Sequence, residues 1–250
     1  MDLNADLAEG DALGPSDRAL LTVVTSASLA CGFHAGSRSV MRAAADACVE
    51  RGVAIGAHVS YRDRAGFGRR ALDVSVERLA ADLVEQWEAL VEQVGAAGGN
   101  VAYVKPHGAL YAAMVVDADV ATTVVATLSP RCPVLVGPPH GAHVGPAADA
   151  GLTVVSEGFC DRGYDRRGML VPRGQHGALV DDPESAGRRA RSMAVDGGVH
   201  SVDGSWVVLP VRTLCIHGDR PGAERHARAV RDALEGAGVD VRAFTPPGPR

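Results

Sequence analysis

Lysine is nearly absent from this 250-residue chain: Lys105 stands alone against 24 arginines. A Walker-type phosphate loop needs a lysine followed by Ser or Thr, and the one lysine sits in Val104-Lys105-Pro106-His107, so that loop is excluded. Aromatic residues are only 4% of the chain and the net charge is -5. With no basic stripe interleaved with aromatics, nucleic acid is excluded as a main partner. No apolar run approaches the roughly 18 residues of a membrane span. The acidic start, Met1-Asp2-Leu3-Asn4-Ala5-Asp6, has neither the basic nor the apolar region of a secretory signal. The expectation is a cytoplasmic protein with no membrane association. The five cysteines, Cys31, Cys48, Cys132, Cys160 and Cys215, never occur as CxxC, which argues against a disulfide framework or a structural zinc site. Cys31 and Cys215 read as small buried hydrophobes.

A single surviving lysine points to work that guanidinium cannot do. An ammonium is a compact charge whose proton affinity responds to burial, whereas Arg keeps its proton. The apolar run before Lys105 reads as a strand that Pro106-His107-Gly108 ends abruptly, which places Lys105 and His107 at the mouth of a sheet or barrel.

Hydrophobic residues make up 46% of the chain, enough for a substantial core. Strand patterns at 2–6, 28–32, 53–58, 101–105, 133–137, 152–157 and 213–217 alternate with helical ones. Ser37 and Ser75 are helix N-caps, and Gly52 and Gly95 are stops. Asp182-Pro183-Glu184 opens a third helix ending near Gly197, and a last one runs over about 223–234. On the second helix, Leu79, Leu83, Trp87, Leu90, Val91 and Val94 share a face. Repeated strand–helix units without a GxGxxG motif predict an α/β fold, a closed or nearly closed parallel barrel, rather than a dinucleotide-binding sheet. We read one barrel domain over 1–244 and a Pro-rich tail over 245–250. The stretch 158–181 has no periodicity and reads as a functional loop.

The polar residues gather where the strands end. Asn4 and Asp6 close the first, with Glu9 just after. His34 follows the second, His58 ends the third, Lys105 and His107 the fourth, Glu157 the sixth, and His217 with Asp219 the seventh. In an α/β barrel these ends share one face. Such a set supports acid–base chemistry on a small polar molecule. Asp6 or Glu157 would activate water, Lys105 would stabilise an oxyanion or protonate a leaving nitrogen, and Arg162 or Arg173 would clamp a carboxylate. Asp6, His34 and His58 are also ligand types suited to zinc, but no HxxxH or HExxH pair is present, so the metal question stays open.

Several segments resemble the LamB/YcsF family, whose members serve as the A subunit of bacterial 5-oxoprolinases. They include 2–10, Ala30-Cys31-Gly32-Phe33-His34-Ala35-Gly36, Gly56-Ala57-His58, Gly66-Phe67-Gly68-Arg69 and Lys105-Pro106-His107-Gly108-Ala109-Leu110-Tyr111. Asp161-Arg162-Gly163-Tyr164, Leu170-Val171-Pro172-Arg173 and Cys215-Ile216-His217-Gly218-Asp219 complete the series. Ala8 departs from the family's usual Gly, Val59 from its usual Pro, and the loop 137–145 looks unlike the usual sequence. The resemblance implies a distorted seven-stranded TIM-like (β/α) barrel related to sugar deacetylases. It also implies ATP-dependent opening of 5-oxo-L-proline to L-glutamate with partner subunits B and C, the ATP being handled with those partners. The catalytic set would be Asp6, Lys105, His107 and Glu157. The substrate would be held by Asn4, Glu9, His34, His58, Asp161, Arg162, Arg173, His217 and Asp219. Two other readings stand beside this one: a stand-alone metal-dependent deacetylase or amidohydrolase, and a non-catalytic subunit that binds oxoproline.

Overall fold

The computed structural model describes residues 1–219 and 222–244. Short runs of small and branched apolar residues make strands that are buried on both faces, as parallel strands covered by helices must be. Every residue of β1 (Asp2–Leu7), β2 (Ser26–Ala30) and β3 (Ala54–Val59) is buried. With β4 (Val101–Pro106), β5 (Val134–Gly137) and β6 (Thr153–Phe159), these strands pair in chain order. A hairpin of β7 (Gly198–His200) and β8 (Trp206–Val208) intervenes as a separate antiparallel sheet. β9 (Thr213–His217) then pairs with both β6 and β1 and closes a seven-stranded parallel barrel. This is the α/β barrel the sequence predicts.

Helices cover the outside: α1 (Pro15–Leu20), α2 (Arg38–Arg51), α3 (Val76–Ala96), α4 (Gly108–Val116), α5 (Ala118–Leu128), α6 (Val144–Asp149), α7 (Pro183–Arg191) and α8 (Ala223–Gly236). The expected punctuation is in place. The Ser37, Ser75 and Asp182 side chains accept from the backbone N–H groups of Val40, Arg78 and Ser185, satisfying first-turn donors. Gly52 ends α2 in the left-handed region at φ 67°. No single described helix is long and apolar enough to cross a membrane.

Several boundaries differ from expectation. The second strand lies at 26–30, two residues earlier than predicted, because Gly32 turns away at φ 88°. α3 runs through Gly95 to Ala96, and its buried face is Leu79, Leu83, Gln86, Leu90 and Val94. Trp87 is only partly buried and Val91 is exposed. β6 continues to Phe159, and the loop beyond it carries the isolated bridges Arg162–Leu179 and Tyr164–Leu170. The Pro-rich tail expected at 245–250 lies outside the described residues.

Register decides which side chains meet. Asp6 on β1 lies beside Ser28 and His217, and His58 on β3 lies beside Lys105. Gly56 makes room for the barrel's filling, since a Cβ there would sit 2.1 Å from the Tyr103 ring. Tyr103 is itself fully buried.

Candidate active site

At the C-terminal mouth of the barrel lies a pocket of about 470 Å³. Its wall includes Asp6, His58, Lys105, His107, Arg162, Arg173 and His217, all predicted from the sequence, together with Arg69, Tyr111 and Phe159. Lys105 is 1% exposed and every polar contact of its ammonium is internal. Nζ lies 2.8 Å from Asp6 Oδ1, 2.9 Å from Glu157 Oε1, 3.2 Å from Asn4 Oδ1 and 3.1 Å from Cys215 Sγ. Burial alone would push its pKa down. The Asp6 and Glu157 carboxylates and the Cys215 sulfur outweigh it and hold the pKa well above the ordinary value. Lys105 is therefore a fixed cation, which changes the sequence reading: it suits stabilising negative charge better than shuttling a proton. Cys215, read as a plain core residue, is an acceptor for this ammonium.

The two carboxylates proposed as bases sit differently. Burial would raise Asp6, but His58 and Lys105 hold it well below the usual carboxylate range, so it is ionised, and it lines the pocket. Glu157 lies deeper. Its Oε1 accepts from Lys105 and, at 3.0 Å, from Asn4 Nδ2, while Oε2 is buried without a partner. Glu157 borders a side cavity of about 90 Å³ beside Tyr111 and His140. The Tyr111 hydroxyl and His140 Nε2 likewise have no partner.

Two imidazoles of the pocket wall, His58 and His107, pack against a third, His34, behind it. His34 and His107 stack at 4.0 Å between centroids, and His58 meets both edge-on at 5.5 and 4.7 Å. Glu9 Oε1 lies 3.2 Å from His34 Nε2, 3.6 Å from His107 Nδ1 and 3.9 Å from His58 Nε2. Burial and the neighbouring imidazoles lower His107 to about 2 and push His34 well down. Burial with the Asp6 and Asp219 charges pushes Glu9 well up. Gln86 of α3 supports the cluster by bonding both backbone groups of Ser60, whose hydroxyl meets His34 Nδ1 at 2.9 Å. Over the cluster lies the turn at Gly68, φ 64°, where a Cβ would meet His107 at 2.8 Å and His34 at 2.9 Å.

The remaining predicted residues serve the rim in other ways. His217 Nδ1 lies 2.9 Å from Asp161 Oδ2, and its ring stacks on Phe159 at 5.2 Å. Burial would raise Asp161, but the His217 charge and hydrogen bonds hold it low. Asp219 pairs with Arg69. Arg162 lines the pocket, and its Nε and Nη2 also donate to the Ala178 and Val171 carbonyls at 3.0 and 2.7 Å. It ties the long loop together, and it shares the pocket wall with Arg173 and Arg69. Sequence reasoning passed over Arg69, Tyr111 and Phe159 as site residues, although Arg69 and Tyr111 stood in quoted segments. All five thiols are free and buried, and burial pushes Cys31 and Cys48 up to about 12.

Known proteins share this sequence pattern and fold. A protein from Streptomyces griseus, named as the A subunit of 5-oxoprolinase, is 53% identical over 248 residues, covering 98% of this chain and 99% of its own. One of the same name from Streptomyces coelicolor is 53% identical over 249 residues, with 98% and 99% covered. The crystal structure of a lactam utilization protein from Thermus thermophilus superposes with a TM-score of 0.91 at 43% identity, covering 98% of this chain and 99% of that one. The LamB/YcsF family model matches residues 1–247, nearly end to end and through every strand that brings a side chain to the rim, so the chain belongs to the LamB/YcsF family.

Proposed function

We propose that this chain is the lactam-opening subunit of a cytoplasmic, ATP-dependent 5-oxoprolinase that converts 5-oxo-L-proline to L-glutamate with subunits B and C. The observation that carries this reading is the Lys105 ammonium, caged by Asp6, Glu157 and Asn4 in the wall of a pocket rich in cations. The names borne by the Streptomyces relatives and by the Thermus lactam utilization protein support the choice of a lactam.

An unactivated lactam carbonyl is a poor electrophile. Transfer of the γ-phosphoryl of ATP to the lactam oxygen releases ADP and makes the carbon more electrophilic. Water adds there, the C–N bond breaks as nitrogen takes a proton, and a second water releases phosphate from the resulting acyl phosphate. With no Walker lysine in this chain, the partners supply much of the nucleotide handling. In this pocket Arg173 and Arg69 hold the substrate carboxylate, with Arg162 bracing the loop. Lys105 opposes the negative charge of the phosphoryl group carried on the activated lactam oxygen. Asp6, ionised and facing the pocket, receives the proton of water. Glu157 and Asn4 keep the ammonium in place, and His107 and His58 form the wall against which the ring rests.

The test is glutamate release from 5-oxoproline by this chain alone, then with both partner subunits and ATP. Glutamate should appear only in the complete, ATP-supplied mixture. Lys105→Arg keeps the charge but not the shape and should cost at least about 100-fold in turnover. Undiminished release without this chain would overturn the assignment, and near-normal turnover by Lys105→Arg would remove the ammonium from the chemistry.

A further inference from the structure

Hydrogen-bond direction determines which imidazole nitrogens carry protons at the rim. His58 Nδ1 lies 3.0 Å from the Lys105 carbonyl and His107 Nε2 lies 2.9 Å from the Phe67 carbonyl. A carbonyl oxygen only accepts, so both nitrogens are N–H. Each neutral ring then keeps its lone pair on the other nitrogen. Those two nitrogens, His58 Nε2 and His107 Nδ1, face each other at 2.9 Å. His34 repeats the pattern. Ser60 Oγ donates to the Tyr61 carbonyl at 2.9 Å, so it accepts from His34 Nδ1. That leaves the lone pair of His34 Nε2 against Glu9 Oε1 at 3.2 Å. Three imidazole lone pairs and a carboxylate oxygen thus converge at one place.

One ligand atom from each of these four residues lies within 4.8 Å of the other three. Four of the six separations, 2.9, 3.2, 3.6 and 3.9 Å, bracket the edge of about 3.4 Å expected for a tetrahedron with bonds of about 2.0–2.1 Å, and the two from His34 to the other imidazoles lie within 4.8 Å. We propose that Glu9, His34, His58 and His107 bind a divalent first-row metal ion, with zinc the best match to three imidazoles and one carboxylate. The Lys105 and Phe67 carbonyls and the Ser60 hydroxyl are the outer partners such a site needs, because they set each tautomer and aim each ring. Protons are the competing occupant. One on His58 would serve His107 and Asp6 Oδ2, 3.4 Å away, yet leave His34 facing Glu9. A second, on Glu9, would answer only that contact. A single divalent ion replaces both.

This inference deepens the lactam reading by placing a Lewis-acid centre beside Asp6 in the same pocket. Its test needs neither ATP nor partners. The full chain, purified without chelator, is equilibrated with Zn²⁺ or Co²⁺ and freed of excess ion. About one ion per chain is expected by elemental analysis. The cobalt derivative should show the strong visible absorption of a four-coordinate site, and metal should raise the thermal transition. Glu9→Gln and His58→Gln, checked for folding by circular dichroism, should bring the stoichiometry to background. Ser60→Ala keeps all four ligands and should weaken affinity by about 10–100-fold. Less than roughly a tenth of an ion per wild-type chain would overturn the site. So would nitrogen NMR showing a proton shared between His58 and His107 that added zinc does not disturb. A loaded chain whose complete mixture releases no glutamate would reject the lactam reading and leave the metal site standing.

Discussion

Two aspartates on the same inward face of β1, four residues apart, have opposite fates. Asp2, at the closed end of the barrel, is buried among neutral hydroxyls: Thr25 Oγ1 donates at 2.6 Å, Ser26 Oγ at 2.9 Å, and Thr213 completes the set. Burial raises its pKa and those hydrogen bonds only partly offset the rise. Asp6, at the mouth, is just as buried, yet His58 and Lys105 hold its pKa well down. Burial is common to both. The difference is whether a cation bonds to the carboxylate: Lys105 meets Asp6 at the mouth, whereas the bonds to Asp2 come from hydroxyls. Within one strand, the far end is therefore built for stability and the near end for chemistry, as barrels of this kind divide their labour.

The sharpest way to break the comparison is to neutralise each aspartate in turn. Asp6→Asn should lower turnover of the complete, ATP-supplied mixture by about 10²–10⁴-fold, while Asp2→Asn should leave turnover per folded molecule nearly unchanged. Equal losses in a steady-state assay would erase the distinction. Stability should respond the other way. Asp2→Ala leaves the Thr25, Ser26 and Thr213 hydroxyls without their acceptor, and urea unfolding should show a loss of about 3 kcal/mol.

Acidity sharpens the contrast further. A carboxylate raised by folding stabilises the native state below its unfolded pKa, and that contribution is lost as pH rises through the folded value. Asp2 is such a group. Asp2→Asn should therefore gain stability relative to wild type as pH rises from about 4 toward neutrality, read as unfolding free energy against pH. An unfolding free energy of the variant minus that of wild type that falls with rising pH would contradict the sign. The smallest effect lies just past the mouth. Ala8 sits in the left-handed region at φ 62°, where an L side chain costs roughly 1–2 kcal/mol. Ala8→Gly should raise stability by about 1 kcal/mol in the same urea assay, less the extra freedom glycine gives the unfolded chain.

Much of this was legible in the residues. Lys105, His58, His107 and His217 read correctly as strand-end groups because β-type runs stop at them with Pro or Gly close by. The second strand was started two residues late because Ser26 and Ala27 carry no strand signal of their own. Ser26 is buried and serves Asp2, while Ser28 meets Tyr103 at 3.2 Å. α4 carries apolar residues around most of its circumference, so periodicity did not mark it, whereas α5 buries Ala121, Val124, Val125 and Leu128 at helical spacing and was overlooked. The β7–β8 hairpin has only three residues per strand and exposes Trp206 and Val208, too short for an alternation to register. Gln86 looked like a surface residue by type, and only packing under Ser60 makes it internal.

The chain itself determined the alternation of strand and helix, the polar tips at the strand ends and the family to which it belongs, because those follow from local pattern and motif. Closure of the barrel decided the rest. It brought Glu9, His34, His58 and His107, from the ends of four strands and the loops after them, to within 4.8 Å of one another, sealed Lys105 between two carboxylates, and turned Arg162 inward to brace a loop. Such outcomes depend on register, ring orientation and the direction of each hydrogen bond, which are properties of contacts between distant segments and are absent from any single stretch of the chain.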